Sequence, residues 1–189
     1  MPEPARPADP RRPAPGLTLI EVLIGLALAA ILLAQAGPDL RGLLAGYRLS
    51  GQGSALSQAL AYAKSEAVTR GIRVTVCTSA APTAAYPACS SGAGWAAGWL
   101  VFVDNVQTAG NAPGLVDGAD TVLRIGEPLR GATVSAAANL AGWVAFSPDG
   151  LALASGGSPV GSIVLCQGGK GHSVVLNNVG RVTTSSGGC

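Results

Sequence analysis

One acidic residue lies inside a long apolar stretch near the start of the chain. Residues 17–36 are twenty consecutive residues whose only ionisable member is Glu21. Twenty helical residues span about 30 Å, the thickness of a bilayer's hydrocarbon core, so this segment is long enough to cross a membrane. A carboxylate near the middle of such a helix costs roughly 2.5–3.5 kcal/mol and usually has a partner. Because no Lys or Arg lies within one helical turn of Glu21, we expect that partner on another molecule.

Two common kinds of apolar N-terminal segment explain part of this pattern. Residues 34–36 read Ala-Gln-Ala and fit a secretory cleavage site, with Arg11 and Arg12 as the basic region before it. The apolar run is longer than the usual 7–15 residues of a signal peptide, and a glutamate inside it would weaken translocation. An ordinary single-pass anchor explains the length but not the glutamate. Both alternatives are weaker than a segment whose carboxylate has a function.

Residues 16–41, GLTLIEVLIGLALAAILLAQAGPDLR, resemble the processing site and N-terminal helix of type IV prepilins and type II secretion pseudopilins. In that family a prepilin peptidase cuts after the glycine and N-methylates the next residue, which is usually Phe and is Leu17 here. The family's glutamate, five residues past the cut, neutralises the new terminus of a neighbouring subunit. The resemblance therefore implies cleavage between Gly16 and Leu17, N-methylation of Leu17, and Glu21 as the assembly residue. It also implies three partners, namely other pilin subunits, the peptidase and inner-membrane lipid before assembly.

The sequence predicts four consecutive regions. Residues 1–16 are a proline-rich leader whose arginines keep it cytoplasmic by the positive-inside rule, so that the chain after residue 38 is exported to the periplasm. Residues 17–38 form the transmembrane or filament-core helix, and Gly37 and Pro38 should kink or unwind it. Residues 39–71 form an amphipathic helix that ends at Arg70 and Gly71, and residues 72–189 form a β-rich head. The apolar stripe of the second helix comprises Leu56, Leu60, Ala63 and Ala67.

The head contains short runs rich in β-branched residues, separated by Gly, Pro, Asn or Asp. They predict an α+β, pilin-like fold in which the long N-terminal helix packs on an antiparallel β-sheet. The formal charge of the whole chain is +2, which does not indicate a binder of polyanions. The predicted strands are 73–78, 99–104, 121–125, 132–135, 143–146, 162–166, 172–177 and 181–184.

Four cysteines in the exported part predict two disulfides, although four cysteines allow three pairings. We predict Cys77 with Cys89, which frame one loop, and Cys166 with Cys189, which ties the end of the sequence to a strand. A zinc site is disfavoured because no C-x-x-C pair exists and His172 is the single histidine.

An ordered set of motifs sharpens the resemblance: ALAYAKSEAVTRG, VTVC, GWAAGWLVFVD, TVLR, WVAFSPDG, IVLC and VVLNNVGRV. In this order they resemble the H-type minor pseudopilin and FimT-type minor pilin family, across most of residues 17–184. Some FimT-type proteins are DNA receptors with a G-R-x-R tail that contacts phosphate. Arg181 matches the first arginine, but Thr183 stands at the second, and Lys170 is the one other nearby cation. DNA uptake is therefore the alternative function, with weak DNA binding expected.

The remaining motifs favour structural roles. We expect Trp95, Trp99 and Phe102 in the core, and we expect a solvated loop rather than a calcium site at Asp104, Asn105, Asp117 and Asp120. The GGKG stretch at residues 168–171 lacks the first glycine and the Ser or Thr of a phosphate loop, which indicates a hairpin turn. No nucleophile motif is present, so we predict a structural subunit that is not an enzyme and needs no cofactor.

Overall fold

The computed structural model of the chain describes residues 16–189, except for the side chains of residues 34–41. The contacts divide the chain into two units, Met1–Arg41 and Gly42–Cys189, and the second is called the head here. A single helix, α1, runs from Leu19 to Arg70 and belongs to both units. Its backbone stays helical through Gly37 and Pro38, so the predicted local unwinding at these residues is wrong. Proline removes one helical hydrogen bond, and the long helix on either side tolerates that loss.

Within the head, α1 presents one apolar stripe to the sheets. All four predicted stripe residues are buried, which confirms the stripe, and Leu49 and Ala59 extend it by two residues. The helix ends where Arg70 is followed by Gly71, whose φ of +65° is a conformation that favours glycine.

The head contains nine strands and two short 3-10 helices. The strands are β1 (Val74–Thr78), β2 (Trp99–Val103), β3 (Thr121–Gly126), β4 (Thr133–Ala136), β5 (Trp143–Phe146), β6 (Ala152–Ala154), β7 (Gly161–Gln167), β8 (Lys170–Leu176) and β9 (Val182–Gly188). Eight of them correspond to predicted strands. The ninth, β6, was not predicted because it has three residues, two of them alanine. The 3-10 helices are Trp95–Ala97 and Ala138–Leu140.

The strands form two antiparallel sheets where the sequence predicted one. The five-stranded sheet has the order β3-β2-β1-β5-β6, and the four-stranded sheet has the order β4-β7-β8-β9. The fold is therefore α+β, with a long helix packed on antiparallel sheets, as predicted. Gly168 and Gly169 make the two-residue turn between β7 and β8, and both have positive φ (58° and 76°). This conformation is typical of a tight hairpin turn and explains the first two glycines of the GGKG stretch.

The main core joins the α1 stripe to both sheets. Trp95 and Trp99 are 1% and 3% exposed and belong to it, and the indole N–H of Trp95 donates to the carbonyl of Leu140 at 2.8 Å. A second, smaller cluster of Cys77, Leu100 and Phe102 packs against Trp143 and Val116. The predicted core roles of Trp95, Trp99 and Phe102 are confirmed.

Among the residues that the structure describes, no helix is long and apolar enough to cross a membrane. The side chains of residues 34–38, part of the predicted spanning segment, lie outside the described residues, and the span stays a prediction.

Candidate functional site

The predicted cleavage bond lies just before α1. Gly16, Leu17 and Thr18 are not helical, and all three are exposed; Leu17 is 77% exposed. A protease needs an accessible segment, and these non-helical residues are accessible before the helix begins at Leu19. The rest of the predicted leader, including Arg11 and Arg12, lies outside the described residues.

Glu21 lies in the first turn of α1. The carbonyl of Thr18 accepts hydrogen bonds from the backbone N–H groups of Glu21 and Val22, and the Thr18 hydroxyl is 3.4 Å from the Glu21 nitrogen. Thr18 is thus the N-cap of the helix, and Thr-x-x-Glu is the sequence pattern of a capping box. The positive end of the helix dipole also favours a carboxylate here. This local stabilisation of the helix was not predicted from the sequence, although the Thr-x-x-Glu pattern is visible there.

The large apolar side chains between Leu19 and Leu33 point outward on all sides of the helix. Their exposed fractions run from 47% at Val22 to 81% at Leu19. A helix that is apolar all round is normally buried, in a membrane or against other chains. This stretch of α1 therefore has a surface that needs another molecule.

Two disulfides are present in the head. Cys77 of β1 is joined to Cys89 with Cα atoms 5.6 Å apart, and Cys166 of β7 is joined to Cys189 with Cα atoms 6.0 Å apart. The second bond passes beside Gly171, where an added Cβ would lie 3.3 Å from the Cys189 sulfur. Each disulfide reinforces a region that hydrogen bonds already hold: Ser90 donates to the Thr78 carbonyl beside the first, and the second joins β7 to the end of β9, the two strands that flank β8.

The carboxylates that follow β2 make ion pairs and hydrogen bonds within the head. Asp104 is fully buried and pairs with the Arg73 guanidinium at 3.1 Å, and it also accepts hydrogen bonds from the Thr75 hydroxyl and the Gly114 amide. Arg73 also lies 4.8 Å above the ring of Trp143. Burial lowers the pKa of Arg73, and the charge of Asp104 acts in the opposite direction.

Asp117 and Asp120 accept hydrogen bonds from loop groups, namely the amides of Ala112, Asn105 and Asp117. Within the described residues, no three His, Cys, Asp or Glu side chains gather in a way that could hold a metal ion. These contacts hold the 105–120 loop in place.

The two cations predicted for DNA do not come together. Lys170 begins β8 and donates to the carbonyl of Gly42, while Arg181 lies just before β9, where Val182 pairs with Leu176 at the other end of β8. Six residue steps of a strand separate these ends, a distance of roughly 20 Å. His172 is 6% exposed, with its Nδ1 3.4 Å from the Ser186 hydroxyl. The region is therefore not a cluster of positive charge.

Comparison with known proteins gives two family matches. Residues 52–180 match the model of the type II transport protein GspH, and residues 11–34 match the prokaryotic N-terminal methylation motif. No curated protein gives a significant sequence match to this chain.

Solved structures of the type IV minor pilin FimU from Pseudomonas aeruginosa resemble the fold. In one crystal form the identity is 19%, the match covers 72% of this chain and 87% of FimU, and the TM-score is 0.50. In a second crystal form the identity is 18%, the match covers 72% of this chain and 92% of FimU, and the TM-score is 0.49.

Proposed function

This chain belongs to the GspH family of minor pilins and pseudopilins, and from that membership we propose that it is a processed filament subunit that assembles through α1. A prepilin peptidase cuts between Gly16 and Leu17 and methylates Leu17. Before assembly the chain is held in the bacterial inner membrane with its head in the periplasm. The product is incorporated into a type II secretion pseudopilus or a type IV pilus.

The outward-facing apolar surface of α1 carries this proposal. Ten large apolar side chains between Leu19 and Leu33 are each about half exposed or more. Burying one such side chain fully contributes about 1.5–3 kcal/mol, so covering the ten exposed portions contributes on the order of 10–20 kcal/mol. A carboxylate inside a membrane-length helix costs about 2.5–3.5 kcal/mol, and its place in the first turn reduces that cost. The apolar term is the larger one, so Glu21 does not prevent insertion into lipid.

Glu21 instead sets how subunits meet. Cleavage converts Leu17 into a positively charged N-terminus next to an apolar surface. A buried charge without a partner is strongly unfavourable, whereas an ion pair with a neighbouring subunit's carboxylate offsets the desolvation of both groups. We propose that Glu21 supplies this carboxylate and so fixes the axial position of adjacent helices.

The test separates insertion from assembly. Glu21→Leu should enter the membrane at least as well as the natural chain, since it removes the polar group from the segment. Incorporation into filaments should fall by more than tenfold. Ile24→Ala is the matched control, because Ile24 lies three residues from Glu21 on the same face of the helix and its truncation removes no charge; it should reduce incorporation far less than Glu21→Leu does.

Membrane fractionation measures insertion, isolation of sheared filaments measures incorporation, and the oxidation state of the cysteines reports whether the head has folded. Normal incorporation of Glu21→Leu would refute the role of the ion pair. Gly16→Val tests cleavage separately, and the uncut leader should remain attached.

Support for a DNA receptor is weaker. Its two candidate cations, Lys170 and Arg181, lie at opposite ends of one strand, and the Lys170 ammonium already donates to a backbone carbonyl. Phosphate contacts made by separate cations give a weak interaction with a shallow salt dependence.

A further inference from the structure

A groove of about 710 Å³ lies in the head between α1 and the end of β3. One wall is the helix surface around Arg48, Gly51, Gln52 and Ala55, and the other is the chain from Arg124 to Arg130. Gly51 and Ala55 have the smallest side chains on the helix wall, which leaves the space open. The groove is remote in sequence from the N-terminal assembly segment, so it is not explained by the proposed function.

The groove concentrates the positive charge of the head. Residues 42–189 contain eight Lys and Arg residues and six Asp and Glu residues. The groove is lined by three arginines, Arg48, Arg124 and Arg130, and by one acid, Glu127. The excess of two positive charges in the groove therefore equals that of the entire head. Such a surface favours a ligand with negative charge.

Most other cations of the head already have partners. Arg70 pairs with Glu66, Arg73 pairs with Asp104, and Lys64 donates to the carbonyls of Val179 and Gly180. In contrast, Arg48 and Arg130 are exposed and form no ion pair with any described side chain, and Arg124 is stacked 4.6 Å from the ring of Tyr62. Two guanidinium groups are thus free to bind carboxylates, which match their planar donor geometry.

The groove also offers groups that bind a peptide backbone. β3 is an edge strand of the five-stranded sheet, and its outer edge pairs with no strand in the described part of the chain. The side-chain amide of Gln52 donates to the carbonyl of Arg130, while its oxygen is buried without a hydrogen-bond partner among the described residues. An incoming N–H group would satisfy that oxygen. Extended peptides commonly bind by adding to such an edge.

We propose that this groove binds an extended, carboxylate-bearing peptide segment of a partner protein. The segment pairs with the free edge of β3, one of its N–H groups donates to Gln52, and its carboxylates meet Arg48 and Arg130. A single nucleic-acid strand would use the same arginines but would also need an exposed aromatic surface for stacking. Trp99 is only 3% exposed and Tyr62 is covered by Arg124, so a peptide fits the groove better.

The experiment measures binding of labelled probes to the full chain in an uncharged detergent. The probe is a fluorescein-labelled six-residue peptide of alternating Glu and Val, compared with its Gln and Val counterpart and with a six-nucleotide thymidine oligonucleotide. Fluorescence anisotropy is followed at low and at physiological salt. We expect the Glu peptide to bind at least tenfold more tightly than the Gln peptide.

Paired variants locate the site. Arg48→Gln with Arg130→Gln should weaken binding of the Glu peptide at least tenfold. Arg70→Gln with Arg181→Gln removes the same charge from exposed positions outside the groove and should change binding less than twofold. Thermal melting shows whether each pair of substitutions leaves the head folded. If Arg48→Gln with Arg130→Gln fails to fold, Gly51→Leu replaces it. This variant fills the groove while keeping its charge, and it should also abolish binding.

Three results would overturn the proposal. Equal binding of the Glu and Gln peptides would show that carboxylates are not recognised. Equal loss in the two paired variants would show diffuse attraction to the whole chain. Tighter binding of the oligonucleotide than of the Glu peptide would assign the groove to nucleic acid.

Discussion

Replacing Gly53 with alanine tests how the four-stranded sheet docks on α1. Gly53 is buried in the middle of the helix, opposite His172 of β8. A Cβ added at this position would lie 2.0 Å from the His172 Cδ2 atom and 2.7 Å from its Nε2 atom. Ordinary contacts begin near 3.4 Å, so the imidazole or the whole strand must move. The glycine is required by close packing between helix and sheet.

Two opposing terms set the size of the effect. Alanine is favoured over glycine inside a helix by about 1 kcal/mol, while overpacking a well-packed core costs roughly 1–3 kcal/mol. The control is Gly51→Ala, two residues away in the same helix, where an added Cβ meets nothing within 4 Å. Because both variants share the helix term, the difference between them isolates the clash, about 1–3 kcal/mol. For a chain of this size that corresponds to roughly 2–12 °C in melting temperature.

The assay is thermal unfolding of the full chain followed by circular dichroism. Gly51→Ala should melt at or above the natural protein, and Gly53→Ala should melt clearly below Gly51→Ala. In a His172→Ala background the same Gly53→Ala change should become neutral or stabilising, because the obstructing ring is gone. Equal melting of the two single variants, or an undiminished loss of melting temperature from Gly53→Ala in the His172→Ala background, would refute the packing argument.

Three further predictions concern the head. Peptide mapping without reduction should recover the two disulfides as paired in the structure, and any cross-paired peptide or free thiol would contradict them. Double-stranded DNA should bind more weakly than about 10⁻⁴ M at physiological salt, with a shallow salt slope; a micromolar complex in gel shifts that disappears in Arg181→Ala would overturn this expectation. Asp104→Asn should destabilise the protein by up to about 3 kcal/mol, because it leaves the partly buried Arg73 charge without its carboxylate partner. Glu127→Gln, an exposed charge change, is the control in the same melting experiment, and equal effects of the two would refute the role of the ion pair.

Features with a local sequence signal could be predicted, and features created by the packing could not. Eight strands were predictable from runs of β-branched residues, and the α1 stripe was predictable from its spacing. β9 continues to Gly188, four residues beyond its predicted end, because two Ser and two Gly residues there pair with β8 without an apolar pattern. The division of the strands into two sheets depends on pairing between distant segments, which no local pattern shows.

The candidate sites divide in the same way. The segment from Gly16 to Glu21 is contiguous, so both the cleavage motif and the Thr18 cap are visible in the sequence. The groove arginines come from α1, from β3 and from the loop after β3, and their spacing in the sequence is unrelated to their proximity. Likewise, Lys170 and Arg181 are close in sequence, but the hairpin places them at opposite ends of a strand.

The central position of β1 has a consequence for the order in which the head forms. β1 pairs on one side with β2 and on the other with β5, where Val74 lies opposite Phe146. Pairing between segments this distant in the chain carries a large loop-closure entropy and is intrinsically slow. Both β1 and β2 precede β5 in the sequence, and the β1–β2 pair is the more local of the two pairings of β1. We therefore expect the five-stranded sheet to be completed late in folding, when Phe146 pairs with Val74.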